Sequence, residues 1–214
     1  MTTRQEGSSE PRSKDPARCV LVGAGLCALL VALPPAVEPQ DPTKPAVEQV
    51  ELNGQEYDVP PPWRGNRITK AADPTALAKV PSDLTGEFGI YVTPETRDAV
   101  VAMAAAAREQ GIRLEVDSGF RSYGFQKRIL EGLLATGRPF LNAVRWTAPP
   151  GYSEHITGRA VDFVPSDADF KDVPAYQWLR DHAADFCFTE SYPLGNAGGF
   201  EWEPWHWRYD GCAE

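Results

Sequence analysis

The stretch Gly151–Pro165, "GYSEHITGRAVDFVP", places His155 seven residues ahead of Asp162 and changes character midway. Its first half is rich in small polar residues and reads as a loop. Its second half, "RAVDFV", carries β-branched and aromatic residues and reads as a short strand. Gly158 stands between the two halves. A loop that turns back at this glycine brings both side chains to one point. The pair then forms two thirds of a metal site, or else Asp162 is a strand-end carboxylate bonded to backbone N–H groups. The metal reading requires a third ligand and a proton carrier elsewhere in the chain.

The chain has three histidines in all. His182 lies among charges in "RDHAADF", where a solvated or partly buried structural role is expected. His206 lies in "EWEPWHWRYD", three residues after Glu203 and five after Glu201. Pro204 fixes the local backbone and keeps this stretch out of a helix interior. Of Trp202, Trp205 and Trp207, some pack a core strand and others can wall a dry cleft.

His155, Asp162 and His206 would give two neutral imidazoles and one carboxylate. That set suits a catalytic zinc ion, which keeps a fourth position open for water, and such a water titrates near roughly pH 7. A carboxylate outside the ligand set must take and return the proton, and Glu203 is the candidate. Developing negative charge also needs a fixed cation. Arg121, in "DSGFRSYGFQ", sits between an expected strand and an expected helix, beside Gly119 and Ser122. It can aim an always-charged guanidinium into a cleft, with a surface salt bridge as the alternative.

Around these motifs the elements alternate. "TPETRDAVVAMAAAAREQG" predicts a helix capped by Thr93, with Pro94 in its first turn and Gly111 at its end. "IRLEVDS" predicts a strand, and "SYGFQKRILEGLLATG" a helix capped by Ser122. "PAYQWLRDHAADF" predicts a third helix, and "FCFTES" and "WHWRY" two more strands. The mixture of short strands and interspersed helices predicts an α+β fold with a small, largely antiparallel sheet and flanking helices. Cys187 and Cys212 flank the last two strands. If those strands pair antiparallel, the two thiols meet, and a disulfide is expected.

The N-terminal portion reads differently. Residues 1–18 form a polar tail of mixed charge, and 19–33, "CVLVGAGLCALLVAL", is an uncharged run. That length is long for a signal h-region and short for a membrane span, so export is expected, with a cleaved signal and a retained membrane anchor both open. Residues 34–62 carry eight prolines and read as an extended linker. The domain is then expected over 63–214. The formal charge of −9 leaves no broad basic surface and argues against nucleic acid as a partner.

Taken together, "SGFRSYGFQ", "GYSEHITGRAVDF" and "EWEPWHWRY" resemble the VanY-type D-alanyl-D-alanine carboxypeptidases, which belong to the LAS group of zinc peptidases shared with the hedgehog branch. The likeness spans roughly Trp63 to Cys212. It implies one zinc ion per domain, held by His155, Asp162 and His206, with Glu203 as general base and acid. It implies Arg121 as the charge that stabilises substrate or transition state, and Ser153, with Gln126 as a weaker candidate, as substrate-binding groups. The substrate implied is a peptidoglycan stem peptide at the cell envelope, shortened by one terminal D-alanine. A peptidoglycan endopeptidase of the same fold and a zinc-stabilised binding module are the alternatives. Glu203 argues against the binding module, which needs no base, and the Glu-Pro-Trp-His run favours the carboxypeptidase.

Overall fold

In the central sheet Asp162 pairs with Ser118 on one side and with His206 on the other. The structure, a computed structural model, describes residues 47–212. That sheet is built from β5 (Val116–Ser118), β6 (Ala160–Phe163), β7 (Phe188–Glu190) and β8 (His206–Tyr209). Its order is β5-β6-β8-β7, with every pairing antiparallel. Two further pairs precede it, a hairpin of β1 (Gln49–Leu52) with β2 (Gln55–Asp58) and a short ladder of β3 (Ala78–Lys79) with β4 (Tyr91–Val92). The helices are α1 (Pro94–Glu109), α2 (Tyr123–Ala135), α3 (Phe140–Ala143) and α4 (Pro174–His182). This is the α+β architecture expected from the sequence.

Each helix starts where its cap is. The Thr93 side chain accepts a hydrogen bond from Thr96 N, and the Ser122 side chain accepts one from Phe125 N. Thr96, Val100, Met103, Ala104 and Ala107 of α1 share one buried face, at the spacing a helix needs to cover a sheet. That face joins Val116, Val161, Phe163, Leu179, Phe188 and Trp207 in the main core. Alternation along β6 and β8 does the rest. Val161 and Trp207, directly paired, point into this core, while Asp162 and His206, the next pair, point to the opposite face. The expected strand over "IRLEVDS" is shorter than its pattern, and only Val116–Ser118 pair. The expected helix over "PAYQWLRDHAADF" tightens into a 3-10 turn at Ala183–Phe186.

The expected linker is corrected over its last third. Residues 49–58 form a hairpin around Asn53 and Gly54, which both adopt positive φ (51° and 76°). Asn-Gly is a favoured pair for a two-residue hairpin turn, and the prolines on either side obscured it. Val50, Leu52, Val59 and Trp63 are buried in a second core with Leu130, Val144, Tyr152 and Tyr192. The Trp63 indole N–H donates to the Val144 carbonyl at 2.7 Å. The domain therefore begins well before residue 63. The polar tail (1–18), the apolar run (19–33) and the linker residues before 47 lie outside the described residues. Among the described residues, no helix is long and apolar enough to cross a membrane.

Cys187 and Cys212 are joined, with Cα atoms 5.3 Å apart. Pairing of Phe188 with Tyr209 brings the start of β7 to the end of β8, as the two-strand reading expected.

Candidate metal centre and active site

Local backbone geometry assembles the site. Ser153 precedes a 3-10 turn, Glu154–Thr157, that ends at Gly158 in the left-handed region (φ 66°). A Cβ on Gly158 would lie 3.1 Å from Leu77, 3.2 Å from Thr93 and 3.3 Å from Ala72, so both the conformation and the packing call for glycine. The turn sends the chain directly into β6. His155, at its centre, then faces Asp162 on the strand.

The resulting geometry is specific. The His155 Nδ1–H donates to the Gly119 carbonyl at 2.6 Å, and its Nε2 lies 3.1 Å from Asp162 Oδ2. On the other carboxylate oxygen, Oδ1, His206 Nδ1 lies at 2.9 Å. The far nitrogen of His206, Nε2, lies 3.0 Å from Glu154 Oε2. All three of His155, Asp162 and His206 are buried, and one ligand atom from each falls within 4.8 Å of the others. No further such group of three occurs among the described residues.

These residues fit a metal ion. Burial, with the nearby Arg121 charge, pushes the His155 imidazole down to about 4, so the ring is neutral at physiological pH. With its single proton committed to the Gly119 carbonyl, Nε2 holds a bare lone pair. That buried atom has no hydrogen-bond partner and faces an anionic oxygen. Two acceptors turned toward one another are satisfied by a cation between them. Burial opposes ionisation of Asp162, but the bond from the His206 imidazolium helps to hold the carboxyl well below its usual range. For His206, burial is likewise overcome by the bonds to Asp162 and Glu154, which raise it to about 10. Without a metal this ring is an imidazolium that spans two carboxylates.

Glu203, three residues before His206, lies outside the ligand cluster. Its backbone N–H donates to the Tyr192 carbonyl, and its carbonyl accepts from His206 N at 3.0 Å. The side chain is half-buried, and burial pushes its carboxyl up to about 7, with Asp162 and Glu154 adding to the effect. Arg121 bonds Asp162 Oδ2 at 3.2 Å and Gln126 Oε1 at 3.4 Å, and its Nε is buried without a partner. Gln126 is anchored in turn to the Ala148 carbonyl at 2.8 Å. The Ser153 side chain is buried and does not cap the turn that follows it. Glu201 turns away to pair with Arg145. His182 sits at the end of α4 against Trp178, remote from the cluster.

Two cavities meet at this centre. A small one of about 30 Å³ is lined by Ser153, Gln126, Arg121, His155, Glu203 and His206, and closed by Trp63, Trp146, Ala148 and Tyr192. A groove of about 520 Å³ shares Arg121, Trp146 and Glu203 with it, also reaches Asp162, and runs past Phe88, Phe125 and Trp205. Sequence reasoning did not single out Trp63, Glu154 or Tyr192. Glu154 was in plain view between Ser153 and His155, but nothing in the sequence tells that it reaches His206. Trp63 follows three prolines, and its place depends on the unrecognised hairpin.

Comparison with known proteins places this geometry among relatives. The D-alanyl-D-alanine carboxypeptidase of Enterococcus faecalis (strain ATCC 700802 / V583) is 33% identical over 132 residues, covering 57% of this chain and 48% of that protein. The chain thus spans about half the length of the curated relatives it matches. Among solved structures, the LdcB LD-carboxypeptidase superposes with a TM-score of 0.59 at 28% identity, covering 77% of this chain and 85% of that one. VanYB in complex with D-Alanine-D-Alanine gives 0.55 at 28% identity, covering 69% and 83%. The family model for VanY, D-alanyl-D-alanine carboxypeptidase, matches residues 89–212, a span that takes in both histidines, the aspartate, Arg121 and Glu203. With more than half its length so matched, the chain belongs to the VanY D-alanyl-D-alanine carboxypeptidase family.

Proposed function

We propose that this chain is a zinc-dependent D,D-carboxypeptidase that releases the terminal D-alanine from peptidoglycan stem peptides ending in D-Ala-D-Ala. Its place of action would be the cell envelope, reached through the apolar run at 19–33. The observation that carries the reading is the junction of two unequal cavities at one buried His-Asp-His cluster. The small cavity, with room for about one or two waters, is too narrow to pass a continuing chain, so we place a chain end there. The larger groove suits the remainder of a stem peptide. VanYB has been seen with D-Ala-D-Ala bound, and that likeness supports the same substrate end here.

His155 Nε2, the Asp162 carboxylate and His206 Nδ1 would hold the zinc ion. When bound, the metal supplies a Lewis-acidic centre that polarises the scissile carbonyl and acidifies water. The protein supplies the proton traffic. Glu203 lines both cavities and lies outside the ligand cluster, so its carboxylate is placed to accept a proton from the attacking water and return it to the leaving amine. Arg121 is held beside Asp162 with one N–H uncommitted, and offers fixed positive charge where the tetrahedral oxyanion develops. Ser153 and Gln126, both lining the small cavity, face the position of the terminal carboxylate.

A second reading, cleavage of an L,D-linked terminal D-alanine, is favoured by the likeness to LdcB, an LD-carboxypeptidase. Mass spectrometry of stem pentapeptide and tetrapeptide after incubation with the zinc-loaded protein tests both. Loss of one D-alanine from the pentapeptide is expected. Attack on the tetrapeptide alone would select the second reading, and an internal cut would replace both with an endopeptidase.

A further inference from the structure

Glu154 belongs to no ligand set, yet it is a heavily bonded carboxylate beside the centre. Its Oε2 lies 3.0 Å from His206 Nε2 and accepts the Ser191 hydroxyl at 2.5 Å, while Oε1 accepts Arg208 Nη1. Only 11% of its side chain is exposed. His206 and Arg208 stand two apart on β8 and so project from the same face, bracketing the carboxylate between them. Tyr192 stacks on the His206 ring with centroids 5.2 Å apart.

The two histidines are held in complementary ways. His155 commits Nδ1 to the Gly119 carbonyl and turns Nε2 to Asp162. His206 turns Nδ1 to Asp162 and commits Nε2 to Glu154. An imidazole can rotate half a turn about its Cβ–Cγ bond at little intrinsic cost, and that flip would replace Nδ1 with a C–H at the metal position. In this site it would also set a C–H against Glu154 and leave a buried carboxylate oxygen short of a partner.

We infer that Glu154 is a positioning residue for the metal centre: its carboxylate takes the Nε2–H of His206, fixing ring rotation and tautomer so that Nδ1 presents its lone pair to the ion. Ser191 and Arg208 hold Glu154 in turn. The inference rests on the zinc reading above. The competing role is a buried ion pair with Arg208 that stabilises the fold and leaves metal binding alone.

Zinc affinity, measured by competition with a chromophoric chelator, separates the two. A carboxylate partner of a ligating histidine typically accounts for about 10- to 100-fold in metal affinity. Glu154→Ala should weaken zinc by that factor, and Glu154→Gln, whose amide oxygen still accepts Nε2–H, should recover most of it. Nitrogen-15 NMR of the zinc-loaded wild type should show His206 protonated at Nε2 and coordinated through Nδ1. Equal zinc affinity in wild type and Glu154→Ala, or a zinc-bound Nε2, overturns the inference and leaves the zinc enzyme standing. A wild type that binds no zinc overturns both. If Glu154→Ala does not fold, the wild-type tautomer and the Glu154→Gln affinity decide.

Discussion

Replacing Glu203 by glutamine removes a carboxyl that burial holds at about 7, against 4.5 for the ordinary group. The folded state therefore binds this proton more tightly than the unfolded chain does. The sign follows from that difference. The contribution of Glu203 to stability is fully present below about pH 4.5 and is lost as the pH rises through 7. A displacement of that size corresponds to about 3 kcal/mol, at about 1.4 kcal/mol for each pH unit. Glutamine has the same shape and no proton to lose. In metal-free protein, the stability difference between variant and wild type should be constant below pH 4.5. It should then move in favour of the variant across pH 4.5–7, by about 3 kcal/mol in total, and level off near pH 8. Urea unfolding in the presence of chelator, at half-unit pH steps, measures this directly. Only the pH-dependent part is diagnostic, so any fixed cost of fitting an amide drops out. A difference that stays flat from pH 4 to 8 would refute the claim that burial raises the Glu203 carboxyl in the metal-free protein.

The ligand and proton roles separate by metal analysis: Glu203→Ala should retain zinc and lose turnover by about 100-fold or more, whereas His206→Ala should lose both. Because the metal-free His206 imidazolium titrates near 10 and must shed its proton to ligate, zinc binding near pH 7 should release close to one proton and tighten as the pH rises. A weakly buffered titration with a pH indicator that records no release would contradict this. Serine in place of Cys187 and Cys212 opens a cross-link between residues 25 apart and should lower stability by on the order of 3 kcal/mol, read by denaturant unfolding. Amidating the terminal carboxylate of a D-Ala-D-Ala peptide should sharply reduce cleavage, since Ser153 and Gln126 would face a neutral group, while a D-lactate terminus should be affected less. Equal rates on acid and amide, measured by mass spectrometry, would remove those two residues from carboxylate recognition.

The sheet and the metal cluster were legible because their signals are local. Thr93 and Ser122 announce their helices, and alternation over "RAVDFV" and "WHWRY" gives the strands. The His155–Asp162 interval is spanned by a single glycine turn. Glu203 and Arg121 could be named because a metal site calls for a base and a cation, and few candidates lay near glycine-rich or aromatic segments. The hairpin at 49–58 was missed because proline content was weighed over a five-residue alternation and its Asn-Gly turn. Glu154, Tyr192 and Trp63 could not be read at all. Each acts through a contact with a residue 14 or more positions away, and only the antiparallel register of β6 with β8 and the docking of the hairpin bring those partners together.

The indole of Trp63 closes the small cavity from a segment that lies before the family region, which opens at residue 89. A protein trimmed to that boundary would keep His155, Asp162, His206, Glu203 and Arg121. It would also strip Val50, Leu52, Val59 and Trp63 from Leu130, Val144 and Tyr152, take Val80 and Leu84 out of the main core, and open the small cavity on the side that Trp63 bounds. The metal cluster and one wall of the cavity beside it are thus written in different parts of the polypeptide. Under the proposed activity, an excised family region that accepted bulky or extended C-termini would be reporting the packing lost on this side, and a test of end selectivity has to start from a protein that still carries its hairpin.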